Sequence, residues 1–138
     1  MSHVGFTGTR KGMSPQQLHQ LRVFLHQWRL THLGPAFHHG DCIGADAEAH
    51  EIASEVGFEI HIHPPSNPKH RAFLTGKTSG DPLPYLDRNK AIVQVCHYLV
   101  ACPFSRDEIL RSGTWATIRQ ARRSNTPTLI IYRNGDTS

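Results

Sequence analysis

The sequence predicts an α/β protein with a Rossmann-like three-layer fold, in which helices cover both faces of a mostly parallel five-stranded sheet. Short strand segments alternate with helical segments along the chain, and this alternation is typical of parallel sheets. The 138 residues have the length of one domain, and a content of 38% hydrophobic and 19% charged residues excludes a disordered or membrane-embedded chain. We expect one domain over residues 1–133 and a flexible tail at residues 134–138.

The first two strand–helix units have recognisable boundaries. A strand at residues 3–6 precedes a helix that starts with a capping box, since Ser14 can cap the helix and Gln17 lies three residues later. A second strand at residues 36–39 leads to a helix that we expect Asp46 to cap.

A long irregular segment follows the third predicted strand, at residues 59–63. Residues 64–84 hold five prolines and two glycines and show no periodicity. Such a long loop in a compact domain is usually functional or mobile, and its basic side chains suit either a lid over an anionic ligand or a solvated surface.

The rest of the chain predicts two further helices and two further strands. A helix begins at Tyr85, a strand follows at residues 97–101, Ser112 opens the next helix, and the last strand covers residues 128–132.

Charge and cysteine content narrow the partners and the compartment. A net charge of +4 and a pI of about 9.3 favour an anionic partner, namely nucleic acid, a free nucleotide or a phosphorylated metabolite. The basic residues are scattered rather than gathered in one stripe, which argues against nucleic acid. Three cysteines at no zinc-like spacing and the lack of a leader predict a cytoplasmic protein without a membrane partner.

Three glycine-rich loops follow predicted strands or precede predicted helices, at residues 7–12, 40–46 and 112–114. Ligands of parallel sheets bind beyond the carboxyl ends of the strands, where glycine permits close approach and helix N-termini offer free N–H groups. Neither a Walker loop nor the usual dinucleotide fingerprint is present. The loops therefore predict an anion-binding cleft without ATP-driven or hydride-transfer chemistry.

Four motifs in this order resemble the SLOG superfamily. They are GFTGTR at residues 5–10, HGDCIGADAEAH at 39–50, DRNKAIV at 87–93 and SGTWATI at 112–118. This superfamily includes the DNA-processing protein A domain, LOG-type phosphoribohydrolases and nucleotide-sensing domains. The resemblance spans nearly the whole chain and implies a sheet of order 3-2-1-4-5 that binds nucleotides or nucleotide-derived ligands.

The loops and the resemblance together predict the residues that bind the ligand. Arg10 and its neighbours would hold phosphate, and carboxylates of the second loop would meet ribose hydroxyls. The predicted ligand-binding residues are Thr7, Gly8, Thr9, Arg10, Gly40, Asp41, Gly44, Asp46, Arg88, Asn89, Ser112, Gly113 and Thr114.

One departure from the family pattern bears on catalysis. LOG-type enzymes carry a glutamate where this chain has Thr117, and cleavage of a glycosidic bond needs a carboxylate. Asp87 is the best substitute if the chain is a hydrolase, although a cap or salt-bridge role also suits it.

Three functions remain open: a nucleotide binder or sensor, a nucleotide N-glycosidase, and a single-stranded nucleic-acid binder. A homo-oligomer is also compatible with the sequence.

The eleven histidines do not predict a metal site. His38 and His39 are adjacent in a strand and would point to opposite faces, and the zinc-ligand spacings are absent. We expect no metal and no resident cofactor. Cys42 suits packing better than nucleophilic catalysis, and Trp115 suits base stacking and packing equally.

Overall fold

The computed structural model describes residues 2–138 and shows six parallel strands in one sheet with helices on both faces. In chain order the elements are β1 (His3–Gly8), α1 (Pro15–Thr31), β2 (Ala36–His39), α2 (Ala45–Val56), β3 (Glu59–Ile62), a 3-10 turn (Pro68–His70), β4 (Thr78–Ser79), α3 (Tyr85–Val95), β5 (Tyr98–Cys102), α4 (Gly113–Arg123) and β6 (Thr128–Ile130). The strand order is β4-β3-β2-β1-β5-β6. All five strand pairings are parallel.

The α/β Rossmann-like class is confirmed, but the expected number of five strands is wrong. Five of the strands have the expected 3-2-1-4-5 arrangement, and β4 extends the sheet beyond β3. This strand lies within residues 64–84, and its flanking residues also bond to β3, from Lys77 N to Ile60 O and from Gly80 N to Ile62 O. Two exposed residues are too few to produce an alternating pattern, so the sequence carried no signal for it.

The two faces of β1 carry different helices. Val4 and Phe6 are fully buried in a core with Leu21 and Leu25 of α1. Gly5 points the opposite way, since a Cβ there would meet side chains of α3 and of the residue after it. The helix pairs α1–α2 and α3–α4 therefore sandwich the sheet. No helix among residues 2–138 combines the length and the apolar character that crossing a membrane requires.

The predicted capping box of α1 is confirmed, and the predicted cap of α2 is wrong. Ser14 Oγ accepts the N–H of Gln17, whose side chain accepts the N–H of Ser14. In α2 the capping position belongs to Gly44, and Asp46 lies in the first turn. The Asp46 carboxylate turns back and accepts N–H groups of the preceding loop instead.

Residues 134–138 turn back on β6. Ile130 and Ser138 exchange two backbone hydrogen bonds of 2.9 Å, and Ile131 pairs with Thr137 in an antiparallel bridge.

Close contact between two loops shapes the carboxyl edge of the sheet. Gly44 has φ +84°, and a Cβ at this position would overlap the carbonyl oxygen of Arg10. The next residue, Ala45, donates its N–H to Thr9 O at 3.0 Å. Glycine at position 44 therefore allows the β2–α2 loop to lie directly on the β1–α1 loop.

Replacing Gly44 by alanine should destabilise the protein by at least about 2 kcal/mol, because the added Cβ strains the backbone and overlaps Arg10. Gly113→Ala is the matched control, since a Cβ there meets nothing within 4 Å. Urea unfolding should show the loss for Gly44→Ala and a change below about 0.5 kcal/mol for the control. Equal stability of the two variants would refute the loop contact.

Candidate functional site

A cleft of about 640 Å³ opens at the carboxyl edge of the sheet, between the β1–α1 loop and the first turns of α3 and α4. Loops that are far apart in the chain meet here, because parallel strands end at the same edge. Ten of the thirteen predicted ligand-binding residues line it: Thr7, Gly8, Thr9, Arg10, Asp46, Arg88, Asn89, Ser112, Gly113 and Thr114. Their role in binding remains a prediction.

The other three predicted residues, Gly40, Asp41 and Gly44, do not line the cleft. Asp41 is fully buried, and its carboxylate accepts hydrogen bonds from Arg71 Nε at 2.7 Å and from Leu74 N at 2.8 Å. The structure therefore gives Asp41 the role of fastening the start of the long loop rather than meeting a ribose.

Segment 64–84 is fastened to the β2–α2 loop and does not cover the cleft. Ile43 N donates to His70 O at 2.9 Å, and Ala72 N donates to Asp41 O at 2.8 Å. None of its residues lines the cleft, so the lid that its basic composition allowed is not formed in this structure.

Arg88 is the most unusual group in the cleft. Its side chain is buried, with only 6% of the residue exposed. Nε donates to Asn89 Oδ1 at 2.8 Å, and Nη1 donates to the carbonyl oxygens of Gly40 and, at 3.4 Å, of His63. Nη2 has only a 3.9 Å contact with Cys42 Sγ. Gly40 makes room for this guanidinium, because a Cβ there would collide with it.

No carboxylate of the described residues pairs with Arg88. The ion pairs within 4.0 Å among residues 2–138 involve other cations. Burying a charge is costly unless an opposite charge or a full set of hydrogen bonds compensates it. A buried cation that lines a cleft and has no carboxylate partner therefore favours an anionic ligand.

Two further polar groups face the cleft without protein partners among residues 2–138. The hydroxyl of Thr114 and the side-chain NH₂ of Asn89 make no hydrogen bond there, although both residues are more than nine-tenths buried. Ser112 caps α4 by accepting Trp115 N at 3.2 Å. The unpaired groups lie beside the start of α4, where N–H groups and the helix dipole favour negative charge.

Asp46 is the one acidic residue among the described residues that line the cleft. Its Oδ2 accepts N–H groups of Gly40 at 3.1 Å and Cys42 at 3.2 Å. Burial raises the pKa of Asp46 to about 6, and the positive charge of Arg88 only partly opposes this shift.

Five apolar or aromatic residues that the sequence analysis missed also line the cleft, and we call this set the apolar rim. It is formed by Tyr85, Leu86, Phe104, Ile109 and Leu110. Leu86 is 68% exposed and Leu110 83% exposed. Most of these residues lie outside helices and strands, where no hydrophobic periodicity could have predicted their place in the cleft.

The positions considered for a catalytic acid, Asp87 and Thr117, place no carboxylate in the cleft lining. Asp87 is exposed and outside the cleft lining. Thr117 is fully buried, and its hydroxyl donates to Gly113 O at 3.0 Å. Burial raises the pKa of the Cys42 thiol, which disfavours the nucleophilic thiolate.

Trp115 is 3% exposed and packs in the core with Ile118 and Ile130.

Several histidines are hydrogen-bonded to one another. His38 contacts His3 and His63 through its two ring nitrogens, each at 2.8 Å, whereas His39 on the opposite face contacts His50 at 3.0 Å. Within residues 2–138 no three His, Cys, Asp or Glu side chains converge as metal ligands.

Comparison with solved structures identifies the fold. The molybdenum cofactor binding protein of the phototrophic bacterium Rippkaea orientalis matches with a TM-score of 0.72 and 17% identity, over 95% of this chain and 76% of that one. The molybdenum cofactor carrier protein of Chlamydomonas reinhardtii matches with a TM-score of 0.64 and 19% identity, over 94% and 75%.

A third match is DNA processing protein A of Helicobacter pylori, whose structure concerns single-stranded DNA binding. The TM-score is 0.65 and the identity 16%, and the match covers 94% of this chain but 64% of that one. No protein-family model and no curated protein matches the sequence. At these identities the matches show that the chain shares the Rossmann-like fold of these proteins.

Acid should destabilise the fold through its buried histidines. Burial lowers the pKa of His38 and of His39 to about 3, from about 6.5 in the unfolded chain. The contribution of these two histidines to the free energy of unfolding is therefore fully present above pH 6.5. It declines as the pH falls toward 3, because in this range only the unfolded state takes up the protons.

Between pH 7 and pH 5 each of these histidines should cost about 1–2 kcal/mol of unfolding free energy. Urea unfolding of His38→Gln should show a smaller difference between the two pH values than the wild type. The exposed His26→Gln variant serves as the control and should keep the wild-type difference. An unchanged difference in His38→Gln would contradict the assignment.

Proposed function

We propose that the chain binds a phosphate-bearing nucleotide or nucleotide-derived ligand in the cleft, as a binder or sensor. The observation that carries this proposal is the buried guanidinium of Arg88, which lines the cleft and has no carboxylate within 4.0 Å among the described residues. Its Nη2 makes only a 3.9 Å contact with Cys42 Sγ, so a phosphate oxygen can accept a charge-assisted hydrogen bond from Nη2 while the phosphate charge neutralises the guanidinium.

The other residues of the lining add to the attraction that Arg88 alone would have for a phosphate. Arg10, Lys11 and Arg111 add positive charge at the lining, and the Thr114 hydroxyl and the Asn89 amide offer donors. Among residues 2–138, Asp46 is the one acid of the lining, which leaves this region of the cleft predominantly positive. Such a set of donors is typical of phosphate sites at helix starts.

The apolar rim explains why the ligand should be larger than phosphate. Tyr85 and Phe104 supply aromatic rings, and the leucines supply apolar surface next to the positive floor. A volume of about 640 Å³ lies within the range of small-molecule sites. A planar base attached to a phosphorylated sugar matches an apolar mouth above a cationic floor.

The same lining supports binding over hydrolysis. Within residues 2–138, Asp46 is the only carboxylate in the lining, and one of its oxygens is already occupied by two N–H groups. The position that carries glutamate in LOG-type enzymes is a buried threonine bonded to the backbone. A sensor or carrier needs no carboxylate to activate water.

Arg88→Gln should weaken binding of nucleoside 5′-monophosphates about 100-fold, because it removes charge-assisted hydrogen bonds to phosphate. Calorimetry with AMP, GMP, CMP and UMP measures the affinities. Lys90→Gln on the same helix is exposed and outside the cleft, and should bind as the wild type does. Thermal unfolding checks that both variants are folded, and Arg88→Lys should retain part of the affinity.

Wild-type affinity in folded Arg88→Gln would contradict the proposal. Release of free base from a bound nucleotide would favour the glycosidase. Binding of an oligonucleotide with a steep salt dependence, without binding of mononucleotides, would favour the nucleic-acid function.

A further inference from the structure

The two carboxyl oxygens of Asp46 differ in their hydrogen-bond partners. Oδ2 accepts two backbone N–H groups, from Gly40 and Cys42, and is fixed by them. Oδ1 accepts no hydrogen bond from residues 2–138. Every side-chain oxygen and nitrogen atom of the described residues that is itself shielded from solvent has a hydrogen-bond partner. Because Oδ1 has none, this atom retains accessible surface, and the surface of Asp46 lines the cleft.

This free oxygen shares the lining with the unpaired cation of Arg88. An ionised carboxylate at this position would repel the phosphate that Arg88 attracts. A protonated carboxylic acid would instead carry its hydrogen on Oδ1, since Oδ2 is already held as an acceptor, and would donate that hydrogen to a phosphate oxygen.

We infer that Asp46 binds the ligand's anionic group as a protonated carboxylic acid, so that the ligand and one proton bind together. The proton comes from solvent and resides on Oδ1 while the complex lasts. This inference rests on the proposed function, because it assumes that the anionic group lies at Arg88. It makes Asp46 a specificity-determining residue that favours anions over neutral ligands.

The other charged groups around Asp46 leave it as the group that changes protonation. From α3, Arg88 is a permanent cation, and from the β1–α1 loop Arg10 and Lys11 are cations as well. In the β2–α2 loop, Asp41 is engaged by Arg71, and burial raises the pKa of Cys42, which keeps the thiol neutral. Arg111 completes the charged lining.

The protonation of Asp46 is readily accessible. Burial has already raised its pKa to about 6 in the free protein, against the opposing effect of Arg88. A dianionic phosphate beside it acts in the same direction as burial and raises the pKa further. Near pH 7 the free protein is therefore mostly ionised at Asp46, and the complex is mostly protonated.

The test compares the wild type with Asp46→Asn. The amide oxygen of asparagine can accept the N–H groups of Gly40 and Cys42, which leaves its NH₂ as a permanent donor in the cleft. Dissociation constants for AMP, GMP, CMP and UMP are measured at pH 5 and pH 8. The ligand's own phosphate ionisation is common to both proteins and cancels in their ratio.

At pH 5 the dissociation constants of the two proteins should agree within about threefold. At pH 8 the wild type should bind at least about tenfold more weakly than Asp46→Asn, because Asp46 must first take up a proton there. A second measurement needs no variant: calorimetry of the wild type at pH 7 in buffers of different ionisation enthalpy should show uptake of more than half a proton per ligand.

An affinity ratio that is equal at pH 5 and pH 8, or a wild type that takes up no proton, would overturn the inference while leaving nucleotide binding intact. A weaker Asp46→Asn at both pH values would also overturn it, because the carboxylate would then be an acceptor for a ligand hydroxyl. Failure of the wild type to bind any of the four nucleotides would instead refute the proposed function.

Discussion

The buried guanidinium of Arg88 is the constraint on which the site depends. Its hydrogen bond to the carbonyl of Gly40 and its contact with the carbonyl of His63 at 3.4 Å join α3 to the ends of β2 and β3. These carbonyls do not neutralise the positive charge of Arg88, which has no carboxylate within 4.0 Å among residues 2–138. A protein that keeps a desolvated cation in this state loses stability unless a ligand supplies the opposite charge.

Backbone contacts make the rest of the cleft a preformed shape. The β2–α2 loop lies directly on the β1–α1 loop because Gly44 has no side chain, and Asp41 with Arg71 fastens the following segment. These contacts hold two loops that are distant in the chain against each other at the carboxyl edge of the sheet.

Local signals in the sequence predicted the elements well, and long-range contacts explain what they missed. The capping box at Ser14 needs only neighbouring residues, and it was predictable. Asp46 was expected to cap α2, but its partners are the N–H groups of a folded loop that the sequence does not display. Asp41 was expected in the cleft, and its partner Arg71 is thirty residues away. The strand β4 depends on backbone pairing with β3, which is independent of side-chain pattern.

The most direct test of this account is a crystal structure of the protein with a bound nucleoside monophosphate. The account predicts a phosphate oxygen within about 3 Å of Nη2 of Arg88, with the base against the apolar rim. A structure in which the nucleotide occupies another surface, while Arg88 pairs with a carboxylate of the protein itself, would contradict it.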